Sequence, residues 1–433
     1  MSVFSFFAVW TLFHYMGLLI FVLMFLNWLF AGFFLVAVAF GLFTLCTTGS
    51  TAPFEAMSAA LFSSSKNAFE IAIALTGILA FWLGLMRIGQ NSGLLDRVAR
   101  KVAPYVSPLF PSLPPNHPAM SVILMNFSAN LLGMDNAATP MGLETMKQLQ
   151  KLNPNKEHAS DAMIMFLAIN ASGLTLIPTS IMAFRMQAGS ANPADVAVPI
   201  LLATSVSTLV AILAVALKQR IRLWQPRLIA LFSVVLSLLA LTFIAWHFIP
   251  AAQFSQAATA IASIILMLLV CAFIVDGLRH KVNVYSSFIE GAKSGFATAV
   301  RIIPYLVALL VGVAVFRASG AMDLLMEGLH KFLSFTGVNT DWVEALPTMI
   351  MKPISGSGAR AMMIDAMQTH GADSFIGRLT SCVQGSTDTT LYVVSVYFGS
   401  VGITHFRYTV GFSLLADLAG LVTAVGFTYL FFA

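Results

Sequence analysis

Long apolar stretches constrain this chain more than any other feature of its sequence. The first 54 residues contain no Asp, Glu, Lys or Arg, and charged residues make up only 9% of the 433 residues. Soluble domains carry about 25% charged residues. A helix of about 20 apolar residues is long enough to cross a bilayer. The sequence therefore predicts an all-α, polytopic membrane protein rather than a set of soluble domains.

We predict about ten transmembrane helices. The first two share one apolar run, from Val3 to Cys46, and a turn between them is expected at Asn27 and Trp28. The predicted spans are centred in residues 3–23, 28–46, 70–88, 160–186, 197–217, 228–249, 258–276, 297–317, 374–400 and 409–432.

Two further stretches, 117–149 and 343–370, are apolar but carry polar residues at mid-length. Irregular backbone at membrane depth is tolerated only where protein or a wet cavity surrounds it. We interpret both stretches as re-entrant hairpins that enter and leave the membrane on the same side.

The basic residues fall in a few loops, and their distribution predicts the orientation. The loop 218–227 contains four Lys or Arg residues, whereas 187–196 and 250–257 contain none. Cytoplasmic loops are enriched in Lys and Arg. Loops 218–227 and 401–408 are therefore predicted to be cytoplasmic, with 187–196 on the other side. This scattered charge does not form the basic, aromatic face expected of a nucleic-acid-binding protein.

An internal repeat relates two stretches that lie 227 residues apart. The segment Lys66–Asp96 aligns with Lys293–Asp323, and eight of 31 positions are identical, including the shared ending SGxxD. Five predicted spans separate the two starts, and an odd number inverts the second copy. Inverted repeats with discontinuous helices are typical of secondary transporters. Chance similarity between two apolar helices is the alternative explanation.

Polar residues interrupt two predicted spans near their centres. Residues 170–176 read NASGLTL, and residues 384–390 read QGSTDTT, where Asp388 is the only charged residue between Leu379 and Phe406. Gly and Thr weaken a helix, so we expect both helices to break. The ends of half-helices carry partial charges that suit a small polar solute or a cation. Alternatively, these Ser, Thr and Asn side chains hold neighbouring helices together.

The hairpins and the broken helices supply the candidate site. Lys352 and Arg360 favour an anionic group, while Asp388 and Asp135 are candidates for coupling to a cation or a proton, because intramembrane charges are costly unless paired or hydrated. A salt bridge from Asp388 to Lys352 or Arg360 is the alternative. The predicted substrate-binding residues are Asn126, Asn130, Asn136, Asn170, Ser172, Thr175, Lys352, Ser355, Ser357, Arg360, Gln384, Ser386, Thr387 and Thr389.

Several motifs resemble a known bacterial family. GLMRIGQNSGLLD and SDAMIMFLAINASGLTLIP resemble spore maturation protein A, and PISGSGARAMM and DSFIGRLTSCVQGSTDTTLYVVSVYFGSVG resemble spore maturation protein B. The resemblance covers roughly residues 28–217 and 258–433. It implies a fusion of two nucleoside-recognition, or gate, domains, which are similar to the core of concentrative nucleoside transporters. In those transporters hairpins and broken helices form the site, and Na⁺ or H⁺ drives uptake. Their acidic-and-Asn substrate motif is not evident here, where the chain has QGSTDTT instead.

The resemblance and the spans together predict the domain organisation. An extra N-terminal helix occupies residues 1–27, the first repeat 28–226, a connecting helix 227–254, and the second repeat 255–433. We expect a multi-pass protein of the bacterial inner membrane. Small-residue faces near the C-terminus would also suit a homo-oligomer.

The leading functional hypothesis is a secondary transporter of a small polar or anionic solute, either nucleoside-like or a cell-envelope precursor, coupled to Na⁺ or H⁺. The alternatives are a non-transporting membrane scaffold for cell-envelope or spore maturation and a lipid-headgroup translocator. We do not expect an enzyme, since the sequence has no HExxH or GxSxG motif. The three cysteines are widely separated and suggest neither a metal site nor a cofactor.

Overall fold

The structure is a computed structural model that describes the backbone of residues 3–114, 117–131, 135–334 and 340–432. Within these ranges, side chains are described from Phe25 onward, apart from those at positions 99, 135–137, 251, 252, 255, 258, 299, 301 and 333. The described residues are helical between short connections, as the sequence predicts.

Seventeen α-helices follow one another along the described part of the chain. They are α1 (Val3–Thr48), α2 (Ala52–Asn91), α3 (Leu94–Val106), α4 (Pro118–Leu131), α5 (Asp135–Leu152), α6 (Asp161–Ser172), α7 (Thr179–Gln187), α8 (Ala197–Gln219), α9 (Pro226–Phe248), α10 (Ala251–Arg279), α11 (Val284–Ala318), α12 (Ala321–Ser334), α13 (Leu346–Met351), α14 (Gly356–His370), α15 (Phe375–Gly385), α16 (Thr390–Gly399) and α17 (Thr409–Phe432).

Seven helices in the described ranges are long and apolar enough to cross a membrane: α1, α2, α8, α9, α10, α11 and α17. The predicted turn at Asn27 and Trp28 is wrong, because α1 continues unbroken from Val3 to Thr48. No Pro lies within α1, and Asn costs a helix only a few tenths of a kcal/mol. The separate first span of the prediction is therefore part of one long helix.

The repeated SGxxD motif forms the same turn in both places. Helix α2 ends before Ser92 and Gly93, and α11 ends before Ser319 and Gly320. Both glycines are left-handed, with φ of +72° at Gly93 and +86° at Gly320. Glycine adopts this backbone conformation without steric cost. A short helix, α3 or α12, then leaves each turn.

Helices α2 and α11 pack closely and run in opposite directions, since Asn91 bonds Ser287 at one end while Ala80 meets Gly295 further along. A Cβ at Gly295 would lie 2.4 Å from the Ala80 Cα atom, so only glycine fits there. Small residues allow close backbone approach between membrane helices.

Both predicted broken helices and both hairpins are observed. Helices α6 and α7 are separated at residues 173–178, and α15 and α16 at residues 386–389. Helices α4 and α5 form the first hairpin, and α13 and α14 the second. Every side chain of α6 from Ala162 to Ser172 is buried. Asn170 and Ser172 in this helix are therefore shielded from lipid by protein.

Candidate functional site

The two breaks touch each other through the backbone. The Asp388 N–H in the second break donates a hydrogen bond to the Ala171 carbonyl oxygen at the end of α6, with an N···O distance of 2.8 Å. The two broken helices thus cross where each is interrupted. Segments that lie more than 200 residues apart in sequence form one crossing, the break crossing.

Gly173 makes this close approach possible. It ends α6 in the left-handed conformation, with φ of +64°. A Cβ at this position would lie 2.9 Å from both the Asp388 amide nitrogen and the Thr387 carbonyl carbon. Conformation and space both require glycine here.

The hairpins bond to the breaks in a matched way. In the first half, the Leu176 N–H donates to the Leu131 carbonyl at the tip of the hairpin, at 2.7 Å. In the second half, the Leu391 N–H donates to the Pro353 carbonyl at 2.9 Å. A backbone donor within the first break and one in the first turn after the second break are therefore satisfied by hairpin carbonyls, as buried polar groups require.

A polar cavity of about 40 Å³ lies beside the break crossing. A water molecule needs roughly 10–15 Å³, so the cavity has room for only a few waters. Its lining comes from both breaks and both hairpins: Asn130, Gly173, Thr175, Pro178, Ser180, Ile181, Phe184, Lys352, Arg360, Gln384, Gly385, Thr387 and Asp388.

Three charged side chains line this cavity. Lys352 at the second hairpin tip is only 4% exposed. The Arg360 guanidinium lies over the Phe184 ring, 5.4 Å from its centroid. The Asp388 carboxylate accepts a hydrogen bond of 2.7 Å from the Thr389 N–H at the start of α16. This carboxylate therefore lies at the N-terminus of α16, where a helix stabilises negative charge.

The structure brings seven of the predicted site residues together at the cavity. They are Asn130, Thr175, Lys352, Arg360, Gln384, Thr387 and Asp388. Asp135 and Asn136 begin α5, but their side chains lie outside the described residues.

Other predicted residues lie away from the cavity and hold helices in place. The Asn170 amide donates to the Asn126 side-chain oxygen at 2.7 Å, and the Asn126 amide donates to the Ala138 carbonyl at 2.8 Å. The two asparagines therefore tie the first hairpin to α6. Ser172 shares a 2.8 Å hydrogen bond with Thr208 on α8.

The remaining predicted residues belong to turns and helix ends. Ser355 caps α14 by accepting from the Gly358 N–H at 3.0 Å and lies 3.2 Å from the Ser357 hydroxyl. The Ser386 hydroxyl donates to the Val383 carbonyl. Thr389 is buried and contacts the tip of the second hairpin. A Cβ at Gly356 in that tip would lie 2.6 Å from the Thr389 hydroxyl oxygen.

Sequence reasoning missed Ser180 and Phe184, which line the cavity from α7. The signal for Ser180 was present, because it lies two residues beyond the helix-breaking Pro178, in the first turn of a half-helix. Phe184 carries no local sign of its position.

A second, apolar cavity of about 170 Å³ lies next to the polar one and shares Asn130 with it. Its walls come from α3, α4, α6, α8 and α9, with Phe127, Leu174 and Phe232 among the lining residues. A polar and an apolar compartment therefore meet at one asparagine.

Two groups of interactions join the halves at opposite ends of the broken helices. At one end the buried Arg185 of α7 bonds the Asp195 and Asp373 carboxylates, each at 2.9 Å, and the Ala372 carbonyl at 2.7 Å. Arg378 completes this Arg185 clamp by donating to Asp195.

At the other end Arg407 bonds the Asp161 carboxylate at 2.7 Å and the Ala159 carbonyl at 3.0 Å. The His158 and His405 rings stack beside it, with centroids 4.3 Å apart. This Arg407 clamp holds the residues just before α6, and the Arg185 clamp holds the residues just before α15.

No group of three His, Cys, Asp or Glu side chains that could hold a metal ion occurs among the described residues.

Long apolar helices around two broken helices and their hairpins define a transporter-like, multi-pass membrane protein. The chain belongs to the Gate family, described as nucleoside recognition, which matches residues 72–188 and 299–404. The two matched segments contain both hairpins and both breaks.

The chain resembles two different bacterial proteins. Spore maturation protein A of Bacillus subtilis (strain 168) is 49% identical over 154 residues, covering 36% of this chain and 79% of the relative. Spore maturation protein B of the same organism is 46% identical over 158 residues, covering 36% of this chain and 87% of the relative. No solved structure matches the chain significantly. The chain is thus similar to both spore maturation proteins, as its motifs predict.

Proposed function

We propose that this protein is a secondary transporter of a small polar or anionic solute in the bacterial inner membrane. The observation that carries the proposal is the break crossing, where two interrupted helices and two hairpin tips surround a polar cavity. Discontinuous helices near the bilayer centre are the usual solute and ion sites of secondary transporters.

The charges of the cavity favour an anionic group on the solute. Lys352 and Arg360 contribute two positive charges and Asp388 one negative charge to the lining. Buried charges inside a membrane protein are expensive and therefore mark functional sites. A phosphate or carboxylate group on a nucleoside-like solute or a cell-envelope precursor would suit Lys352 and Arg360.

The size of the cavity indicates a closed state. About 40 Å³ is far below the roughly 300–1,000 Å³ of a drug-sized ligand site. A solute larger than a few waters would enter only after the halves separate. We propose that Asp388 takes up a proton or cation as the cavity opens and releases it as the cavity closes.

A lipid-headgroup translocator is the second candidate, and the shared Asn130 favours it. The polar cavity could hold a headgroup while the neighbouring apolar cavity of about 170 Å³ holds the start of an acyl or prenyl chain. Both candidates use the same polar residues, and they differ in whether the apolar compartment contributes to binding.

A thermal-shift screen tests the proposal. The protein in detergent is melted with pools of nucleosides, nucleotides, sugars, peptidoglycan precursors and lipid headgroups. A ligand at a hundredfold excess over its Kd stabilises the folded state by about 2.7 kcal/mol. Asp388→Asn removes the cavity carboxylate, and Asp161→Asn in the Arg407 clamp is the matched control.

The transporter predicts a saturable rise in Tm that Asp388→Asn changes and Asp161→Asn preserves. The same solute should then accumulate in proteoliposomes in response to an ion gradient. Leu174→Trp, which fills the apolar cavity, should weaken binding only for a lipid. If no pool shifts the Tm and Asp388→Asn melts like the wild type, the scaffold alternative replaces both candidates.

A further inference from the structure

A buried carboxylate lies outside the cavity, on α17. Asp417 lies in the middle of α17 and is only 1% exposed. Neither of its carboxylate oxygens makes a hydrogen bond among the described residues. An isolated buried carboxylate costs far more free energy than a polar group with partners. Either a bound proton or a bound cation must therefore neutralise Asp417.

The side chains around this carboxylate are oxygen donors that also lack partners. The Thr387 and Thr390 hydroxyls face the Asp417 carboxylate from the second break. Ser413 lies one helical turn before Asp417 on the same face of α17. All three hydroxyls are buried, and none makes a hydrogen bond of normal length and angle among the described residues. Native proteins rarely leave several neighbouring polar groups unsatisfied.

The nearby charges do not supply the missing partner. Lys352 and Asp388 both act on Asp417 through space, and their opposite charges offset each other. Lys352 makes no hydrogen bond to either Asp417 carboxylate oxygen. An ionised Asp417 would therefore still need a cation.

We propose that Asp417, Thr387, Thr390 and Ser413 bind a Na⁺ ion behind the break crossing. One carboxylate balances one positive charge, and hydroxyl oxygens are ligands that hard cations accept. The ion would attach α17 to the second break. Its carboxylate would lie outside the cavity, because neither Asp417 nor Ser413 lines that space, whereas Thr387 borders both.

The packing of α17 favours a small ion. A Cβ at Gly420 would lie 2.6 Å from the Thr387 methyl carbon and 2.9 Å from the Ser386 carbonyl oxygen. Helix α17 therefore approaches the second break as closely as glycine permits. Na⁺ fits such a space better than K⁺, and a divalent cation would require more carboxylates than the site offers.

Sodium-dependent stability tests the site without any solute, so the result does not depend on whether the protein transports. The Tm of the purified protein is followed while NaCl replaces choline chloride at constant ionic strength, with KCl as a parallel series. We expect a saturable rise with Na⁺ that Asp417→Asn removes. The neutral amide needs no counter-ion, so this variant should fold and melt independently of Na⁺. Asp161→Asn in the Arg407 clamp should respond like the wild type.

Thr390→Val provides a second variant that retains the carboxylate. Loss of one ligand oxygen should weaken the apparent Na⁺ affinity about tenfold, the factor that one modest contact contributes. Three results would overturn the proposal. The wild-type Tm could be independent of Na⁺, or it could respond equally to K⁺. The Na⁺ response could also survive Asp417→Asn but disappear in Asp388→Asn. The last of these results would place the ion in the cavity instead. If the solute screen fails while the Na⁺ response is intact, that failure counts against transport and not against the Na⁺ site.

Discussion

The Arg185 clamp and the Arg407 clamp perform the same task in different surroundings. Each ties the residues before one broken helix to the other half of the chain, and each uses an arginine that bonds both a carboxylate and a backbone carbonyl. Arg185 is 0% exposed, whereas Arg407 is 39% exposed. The two clamps therefore contain the same kinds of bonds but differ in burial.

This difference indicates which end of the molecule separates more easily. An exposed ion pair contributes about 0–1 kcal/mol, whereas breaking one side of a buried pair costs about 3–5 kcal/mol. The Arg407 end should therefore open first. The distribution of basic residues predicts that this end faces the cytoplasm.

Arg185→Leu should have the largest effect. It leaves Asp373 without its cation and Asp195 with Arg378 alone, and we expect a loss of about 3–5 kcal/mol in stability. Thermal melting in detergent measures it. Adding Asp373→Asn to Arg185→Leu should restore part of the loss, since one unpaired charge is then removed. Equal stability of the single and double variants would contradict this account.

Acid should weaken the same clamp next. Burial alone would raise the pKa of Asp373, but hydrogen bonds from Ser190 and the Ala191 N–H and the charge of Arg185 hold it below its ordinary value. A lowered pKa contributes stability above the ordinary value of about 3.9, and that stability is lost as the pH falls through the folded-state pKa. The Tm of the wild type should fall more steeply than that of Asp373→Asn below about pH 4. Parallel curves would show that Asp373 does not contribute.

Arg407→Leu should cost no more than about 1 kcal/mol, because its ion pair with Asp161 is half-exposed. The measurement is the same melting experiment, and Arg185→Leu is the matched comparison. If the two variants lose similar stability, burial is not what separates the clamps.

Salt should produce the smallest effect. Exposed ion pairs are screened at high ionic strength, while buried ones are screened much less. Raising KCl should shrink the stability difference between the wild type and Arg407→Leu and leave that of Arg185→Leu nearly unchanged. If salt changes the stability difference of Arg185→Leu more than that of Arg407→Leu, the Arg185 clamp is more exposed to solvent than the structure indicates.

Local sequence predicted the features that depend on local chemistry. The breaks at Gly173 and at residues 386–389 follow from Gly, Pro and Thr within apolar segments, and the hairpins from polar residues at mid-length. The two asparagines Asn126 and Asn170 show the limit of this reasoning. They have the chemistry of ligands, but packing turns them toward each other.

The clamps and the candidate ion site could not be predicted in the same way. Arg185 and Asp373 lie 188 positions apart, and nothing near either residue marks the other as its partner. Asp417 lies in an apolar helix whose orientation only the fold determines. The long helix α1 was missed for the opposite reason, since a weak local signal at Asn27 and Trp28 did not outweigh helix propagation.

The break crossing also has a consequence for assembly. The hydrogen bond from Asp388 to Ala171 joins one half of the chain to the other, and residues of both halves line the cavity. If the chain were cut in the connection between α8 and α9, each fragment would carry half of the site and an unsatisfied break. A functional unit would then need one copy of each fragment, and the continuous chain fixes that ratio at one to one during synthesis.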